Sequence, residues 1–292
     1  MTNAGEQRTD EGSVLRDRYT AHDIFERILR AAGHEVKTGG RQLFFSALAA
    51  GFAITLTFYL YAVTTYETGG DPLLSSLLYP LGFVYIILGG YQLYTENTLP
   101  PVALTVERLA SLPSMFYVWG VVLAGNLVGG FIGAYGLARL SLFSEGARQA
   151  ATNISLKALE TGWWTLFHHG AIAGFIVAGL VWLDYAARDT TARFFQTYIA
   201  FFTISAANLN HSVVTAVEAL FLYLTGSAAL LPALSDLLLP VLIGNTIGGV
   251  FLVTMVNYFQ TPDFIIQNKE GRLDWKKWLF EFNIFDEQDQ AK

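Results

Sequence analysis

Residues Ala206–Leu224 read AANLNHSVVTAVEALFLYL and place one histidine, His211, among polar residues inside an otherwise apolar segment. Polar groups and a broken helix at membrane depth are costly unless they line a cavity, because no water is present there to satisfy their hydrogen bonds. The segment therefore predicts a functional site, and the rest of the chain shows what surrounds it.

The composition predicts an all-α polytopic membrane protein. Of the 292 residues, 53% are hydrophobic and 14% are charged. The apolar residues fall in blocks of roughly 20, the length that a helix needs to cross a bilayer core. The net charge of −6 lies in the ends and loops, so nothing supports nucleic-acid binding. Because cysteine is absent, disulfide and thiol chemistry are excluded.

The apolar blocks predict six membrane spans, of which the second and fifth are broken. They cover residues 43–66, 73 onward, 113–137, 163–185, 194–224 and 236–258. Proline is accepted at the first turn of a helix, so span 2 is expected to break near Gln92 and restart near Pro100. Span 5 is expected to break over residues 207–211.

Two glycine motifs predict an internal repeat. GNLVGGF begins at Gly125 in span 3 and GNTIGGV at Gly244 in span 6, a separation of 119 residues. The same offset places Gln92, at the first break, on His211, at the second. Each half has three spans, so the two halves are expected to be inverted relative to each other. Glycine recurring only for close helix packing is the alternative explanation.

The domain organisation follows from the spans and the charges. It comprises an N-terminal segment 1–42, a six-helix channel domain 43–259 with repeats 43–138 and 162–259, and a tail 260–292. Fifteen of the 18 lysines and arginines lie on the side that holds both termini. The positive-inside rule then predicts cytoplasmic termini and a multi-pass protein of the inner membrane.

Two amphipathic helices are predicted outside the spans, both in the membrane interface. The first starts behind a T-x-x-D capping signal that ends at Asp23 and has a periodic apolar face: Ile24, Phe25, Ile28, Leu29 and Ala32. The second lies in the tail and has a helical face of large apolar residues: Trp275, Trp278, Leu279 and Phe282.

Taken together, the motifs resemble the formate/nitrite transporter family over roughly residues 43–258. GGYQLYTENT from Gly89 and NLNHSVVT from Asn208 are similar to the family's helix 2 loop and helix 5 segment, and the two glycine motifs to its third and sixth spans. The resemblance implies an aquaporin-like fold, a homopentamer with one pore per protomer, and passage of small monovalent anions. The expected partners are the solute and the lipid bilayer, and no cofactor or metal is implied.

The resemblance also assigns residues to the pore. His211 matches the family's central histidine and Thr95 the threonine that hydrogen-bonds to it, while Tyr94, Val177 and Ile204 fall on its apolar constrictions. A neutral weak acid crosses an apolar ring at much lower cost than its bare anion. A histidine, whose ordinary pKa is about 6.5, can supply the proton. The expected function is proton-coupled transport of formate, nitrite or a similar weak-acid anion.

Several polar positions depart from the family pattern. Gly174 and Thr215 stand where the family has asparagine, and Asn210 stands where it has glutamate. Glu96 is an additional carboxylate in the helix 2 loop. We expect Glu96 to cap the second half-helix, to pair with His211, or to face a neutral or cationic solute.

Two other functions therefore stay open. A pore for a small neutral or cationic solute is motivated by Glu96 and the missing amides. A non-conducting membrane scaffold or sensor is motivated by the altered pore and the amphipathic ends. An enzyme is not expected, because the sequence contains no catalytic triad, metal cluster or phosphate-binding loop.

Overall fold

The computed structural model describes residues 19–260 and 272–282. In chain order the main helices are α1 (Ala21–Val36), α2 (Gly40–Glu67), α3 (Pro72–Gly89), α4 (Pro100–Val106), α5 (Leu112–Arg139), α6 (Glu145–Glu160), α7 (Trp163–Ala186), α8 (Thr190–Ala206), α9 (Ser212–Thr225), α10 (Leu230–Phe259) and α11 (Trp275–Phe280). Predictions for the first 18 residues and for most of the tail lie outside the described residues.

The part of the chain that the structure describes contains the six predicted spans. Five helices, α2, α3, α5, α7 and α10, are each long and apolar enough to cross a membrane. The remaining span is divided between α8 and α9. α6 is the polar helix that joins α5 to α7, with Ser144 capping its first turn. The predicted all-α architecture with broken second and fifth helices is confirmed.

Both breaks have clear local causes. α3 ends where Gly90 adopts a left-handed conformation with φ 67°, which glycine adopts without steric cost. The chain then makes a short 3₁₀ turn, Glu96–Thr98, before Pro100 and Pro101 open α4. At the second break His211 is the extended residue before α9, with φ −101° and ψ 126°.

Glycines hold the helices of each half in close contact. A Cβ atom on Gly129 of α5 would lie 2.0 Å from the carbonyl oxygen of Leu48 of α2. A Cβ atom on Gly248 of α10 would lie 1.9 Å from the carbonyl oxygen of Ala171 of α7. Only glycine allows backbones to approach this closely. Because the two glycines are 119 residues apart, the packing of α2 on α5 is repeated by α7 on α10.

The apolar face of α1 is buried inside the protein. Thr20 and Asp23 form the predicted capping box. Ile28 is fully buried in a cluster with Leu104 of α4 and Val181 of α7. A face that is already covered by protein does not make the lipid contact expected of an interfacial helix, and the position of α1 relative to the membrane stays a prediction.

The described part of the tail is fixed to the end of α4. The indole Nε1 of Trp278 donates to the carbonyl oxygen of Thr105 at 2.7 Å, and Arg272 forms an ion pair with Glu107. α11 ends before Phe282, which therefore lies outside the predicted helical face.

Candidate functional site: two helix breaks that meet

An asparagine of α5 holds the first break. The side-chain amide of Asn126 donates to the carbonyl oxygens of Ala47, at 2.8 Å, and Gln92, at 2.9 Å. Its oxygen accepts from the backbone N–H of Tyr94 at 2.9 Å. Asn126 is fully buried, and it supplies partners for the backbone groups of Gln92 and Tyr94, which lie in the break between α3 and α4.

The equivalent asparagine of α10 holds the second break. The amide of Asn245 donates to the carbonyl oxygens of Gly170, at 2.7 Å, and Asn210, at 3.2 Å. Its oxygen accepts from the backbone N–H of Ser212 at 2.8 Å. In the sequence this asparagine is visible only as part of a repeated motif, and its role was not predicted. The signal was present, because both motifs contain asparagine at the same position.

These contacts correct the alignment of the two breaks by one residue. The clamping asparagines are 119 residues apart, whereas the carbonyl oxygens they bind belong to Gln92 and Asn210, which are 118 apart. Gln92 therefore corresponds to Asn210, and the predicted match of Gln92 with His211 is wrong. The main-chain contacts determine which residues of the two breaks correspond. The spacing of the glycine motifs does not predict this correspondence.

Side chains from the two breaks meet in the middle of the protein. The hydroxyl of Thr95 and Nε2 of His211 are 2.8 Å apart, and both residues are only 1% exposed. Within residues 19–260 and 272–282, Nδ1 of His211 has no hydrogen-bond partner. The ring of His211 lies edge-on to Phe83, with centroids 4.8 Å apart, and Phe83 stacks on Phe201. The imidazole thus has one polar contact in an aromatic setting.

The three residues assigned to apolar constrictions are buried in the same core. Val177 and Ile204 are fully buried, and Tyr94 is 6% exposed. The phenol of Tyr94 lies 2.8 Å from the hydroxyl of Thr246 of α10, so its polar end is satisfied. Their roles as a barrier stay predictions.

A cavity of about 650 Å³, here called the histidine cavity, reaches His211 from one end of the protein. Its lining includes two more predicted site residues, Asn210 and Thr215, together with Glu218 and the exposed Lys157. Nδ1 of His169 in α7 lies 3.2 Å from the side-chain oxygen of Asn210. The sequence analysis did not assign His169 to the site, because its contact depends on how α7 packs against the break.

A second cavity of about 200 Å³, the carboxylate cavity, contains Glu96. Two other acidic residues line it, Glu35 of α1 and Asp184 of α7. Asp184 also faces Arg193 at 3.4 Å. One oxygen of Glu96 is buried and has no hydrogen-bond partner.

Two of the three expected roles of Glu96 are therefore wrong. The residue before α4 is Leu99, and no side chain caps this helix. Nε2 of His211 is hydrogen-bonded to Thr95, and Nδ1 is not bonded to Glu96 or to any other described residue. Glu96 lines the carboxylate cavity instead, beside Glu35 and Asp184, and its relation to a solute stays a prediction.

Burial raises the pKa of Glu35 to about 7, although hydrogen bonds with Gln92 and Asn97 act in the opposite direction. Glu35 lies on α1, outside the membrane spans, and is half-buried. The amide of Asn97 also donates to the side-chain oxygen of Gln92 at 2.8 Å. The carboxylate cavity therefore includes a group that changes its charge near neutral pH.

Gly174 does not face either cavity. A Cβ atom at this position would lie 2.2 Å from the carbonyl oxygen of Asn245. The interpretation of Gly174 as a lost pore amide is therefore wrong, because the position is filled by the backbone of α10. Within the described residues no group of three or more histidine, aspartate or glutamate side chains could hold a metal ion.

The fold and the site together define a class: a polytopic membrane protein with two inverted repeats, whose broken helices meet at a polar site between two cavities. The sequence profile of the formate/nitrite transporter family matches residues 22–259. The chain therefore belongs to this family, as its motifs indicated.

Three comparisons show the extent of the likeness. The chain is 28% identical over 242 residues to the inner membrane protein YfdC of Escherichia coli K12, covering 81% of this chain and 77% of YfdC. A solved FNT family ion channel matches with a TM-score of 0.74 and 21% identity, over 82% of this chain and 99% of that one. A pentameric formate channel with formate bound matches with a TM-score of 0.63 and 22% identity, over 76% and 97%. The descriptions are those of membrane proteins and channels, in line with the expectation that the chain is not an enzyme.

Proposed function

We propose that the chain is a channel that passes a small monovalent anion, such as formate or nitrite, together with a proton. The observation that carries this proposal is the 2.8 Å contact between Thr95 and His211, which joins the two breaks at the end of the histidine cavity. The description of the family as formate/nitrite transporters supports weak-acid anions as the solutes.

In this mechanism His211 exchanges the proton, and Thr95 fixes the orientation of its ring. Asn210 and Thr215 offer polar contacts to the solute on the cavity side. The solute then crosses the barrier as the neutral acid, because a bare charge among apolar side chains is strongly disfavoured. The barrier consists of buried residues on three helices or loops: Tyr94, Val177 and Ile204.

The test is stopped-flow flux into proteoliposomes that contain a pH dye. Gradients of formate, nitrite and hydrosulfide are compared with an uncharged solute. We expect anion-driven internal acidification that falls at least tenfold in His211→Ala. His168→Ala is the matched control, because His168 is exposed on α7 and lies outside both cavities. Unchanged flux in His211→Ala would contradict the mechanism.

The assembly and orientation form part of the same proposal. We infer a homopentamer, which the pentameric formate channel of similar fold supports. We place the protein in the inner membrane with both termini in the cytoplasm, on the basic-residue distribution and the description of YfdC. Residues 43–259 then form the channel domain between two cytoplasmic segments. Native mass spectrometry measures the subunit number, and reporter fusions at the C-terminus measure its side.

A second candidate function is a pore for a small cationic or neutral solute. The observation that favours it is the set of three carboxylates around one cavity, Glu35, Glu96 and Asp184. This candidate predicts cation-dependent currents that disappear in Glu96→Gln and persist in Glu67→Gln, which removes an exposed carboxylate elsewhere. The absence of such currents in the wild type would remove its support.

A further inference from the structure

Glu218 lies within the histidine cavity and has no assigned role. It is on α9, seven residues after His211, so the helical rise places it about 10 Å further along the cavity. Glu218 is 7% exposed, and one of its carboxyl oxygens has no hydrogen-bond partner in the described part of the chain. The side chain is therefore a buried carboxyl group that borders open space.

The side chains around Glu218 provide hydroxyl groups and one distant cation. Besides Glu218, the titratable or charged residues that line this cavity are Tyr61 of α2, Tyr79 of α3, Lys157 of α6 and His211. Lys157 is exposed, and no ion pair of Glu218 occurs among the described residues. α5 and α10 also pack against α9, but none of their described residues lines the cavity.

This environment determines what the carboxyl group can do. A buried carboxyl group without a cationic partner is more stable as the neutral acid than as the anion. The neutral acid carries a proton that it can donate to a solute in the cavity. In its ionised form it repels an anion: at 5 Å and an effective dielectric constant of about 20, the repulsion lowers occupancy on the order of a hundredfold.

We propose that Glu218 is the proton donor that converts the weak-acid anion to its neutral acid in the histidine cavity, before the solute reaches His211. The O–H bond of the Glu218 carboxyl breaks, a new O–H bond forms on the anion, and Glu218 is left as a carboxylate. A hydronium ion from the cavity water then returns a proton to Glu218. The inference rests on the proposed function and adds a second proton-exchanging residue to it.

Lys157 and Glu218 then act in sequence. The exposed ammonium group attracts the anion to the cavity, and the buried carboxyl group supplies the proton that makes further movement favourable. Because the acid is formed before the apolar barrier, His211 exchanges its proton with the arriving acid, and no bare anion has to enter the aromatic setting of its ring.

The test compares wild type, Glu218→Gln and Glu218→Asp in proteoliposomes, with formate as the probe. Glu160→Gln is the control, since Glu160 is an exposed carboxylate at the end of α6 and does not line the cavity. Internal acidification and transmembrane current are measured together between pH 5 and pH 8. The current separates transport of an acid, which is electroneutral, from transport of a bare anion.

We expect Glu218→Gln to reduce formate-driven acidification at least tenfold and to flatten its pH profile, with a net current in the residual transport. Glu218→Asp keeps a carboxyl group and should restore part of the coupled flux. If Glu218→Gln retains wild-type acidification with no current, the role of Glu218 is overturned while the proposed function stands. If the wild type carries no formate, both are overturned.

A labelling experiment covers the case in which Glu218→Gln does not assemble. Dicyclohexylcarbodiimide reacts with protonated carboxyl groups in apolar surroundings, so the wild-type protein should be labelled at Glu218 and lose formate flux. Formate should slow the labelling. Mass spectrometry that finds Glu218 unlabelled, with inactivation absent, would overturn the proposal.

Discussion

The two helix breaks have the same backbone support and different side chains. In each half a buried asparagine binds two carbonyl oxygens and one N–H group around the break. The first break then presents Thr95 and Glu96, and the second presents Asn210 and His211. One half therefore borders a cavity rich in carboxylates, and the other a cavity rich in hydroxyl and amide groups. The comparison separates the groups that hold the breaks open from the groups that face the solute.

The largest effect is expected from removing one of the two asparagines that hold the breaks, Asn126 or Asn245, here called the clamps. Asn245→Ala leaves the carbonyl oxygen of Asn210 and the N–H group of Ser212 without their side-chain partner, and each buried unsatisfied group costs about 1–3 kcal/mol. We expect a loss of several kcal/mol in stability and more than tenfold in flux. Thermal unfolding of the purified oligomer measures the first quantity.

Asn126→Ala tests whether the two clamps are equivalent. It also removes three hydrogen bonds to backbone groups, so its destabilisation should equal that of Asn245→Ala within about 1 kcal/mol. The aspartate variants keep the acceptor oxygen but place a second carboxyl oxygen against two carbonyl oxygens in a buried site, and should be no more stable than the alanine variants. A clear inequality between the halves would contradict the comparison.

The next largest effect on stability is expected where α2 and α7 pack closely against the backbone of Asn126 and Asn245. Gly174→Ala places a Cβ atom 2.2 Å from the carbonyl oxygen of Asn245, and Gly51→Ala places one 2.1 Å from that of Asn126. Overpacking of this kind costs about 1–3 kcal/mol, and a lower yield of assembled protein should follow.

Gly179→Ala is the matched control on the same helix as Gly174. No atom lies within 4 Å of its added Cβ, and alanine favours a helix by up to about 1 kcal/mol. Its melting temperature should equal or exceed that of the wild type. Equal destabilisation by both substitutions would show that helix packing is not the cause.

A smaller effect is expected where the two breaks meet. Thr95→Val removes the hydroxyl that contacts Nε2 of His211, a hydrogen bond worth about 1 kcal/mol, whereas Thr95→Ser keeps it. Coupled formate flux should fall about fivefold in the valine variant and stay near wild type in the serine variant. Equal flux in both variants would show that the contact does not orient the imidazole.

The smallest effect concerns pH and the carboxylate cavity. The pKa of Glu35 is raised from 4.5 to about 7 in the folded protein, so its favourable contribution is present below pH 4.5 and is lost as pH rises through 7. Stability should decrease by about 1 kcal/mol or more over this range in the wild type. Glu35→Gln should reduce the slope. Glu67→Gln, at an exposed site outside the cavity, should leave it unchanged.

Much of the fold could be predicted because its determinants are local. Apolar length gives the spans, and Pro100 and the polar run before it give the first break. The repeat was visible because close packing requires glycine at equivalent positions. The burial of α1 was not predictable in this way, since a periodic apolar face contacts lipid or protein equally well. The apolar surface that covers it comes from α4 and α7, which are distant in sequence.

The site was predictable by residue type and less so by geometry. His211 and Thr95 were identified from their motifs, and their 2.8 Å contact depends on two breaks that are 116 residues apart. Glu96 shares a cavity with Glu35 and Asp184. This grouping was not predictable, because the two residues lie on helices that are distant in sequence. Which residues of the two breaks correspond depends on hydrogen bonds to main-chain atoms. A pattern of side-chain types does not predict such hydrogen bonds.

The clamps have a consequence for how such a protein changes over generations. Asn126 and Asn245 bind the breaks through main-chain atoms, which every residue except proline supplies in full. A substitution that alters a side chain facing a cavity leaves these contacts in place. Selection can therefore exchange the pore lining one residue at a time on an unchanged frame, and a duplicated gene can acquire a new solute preference without first losing its fold.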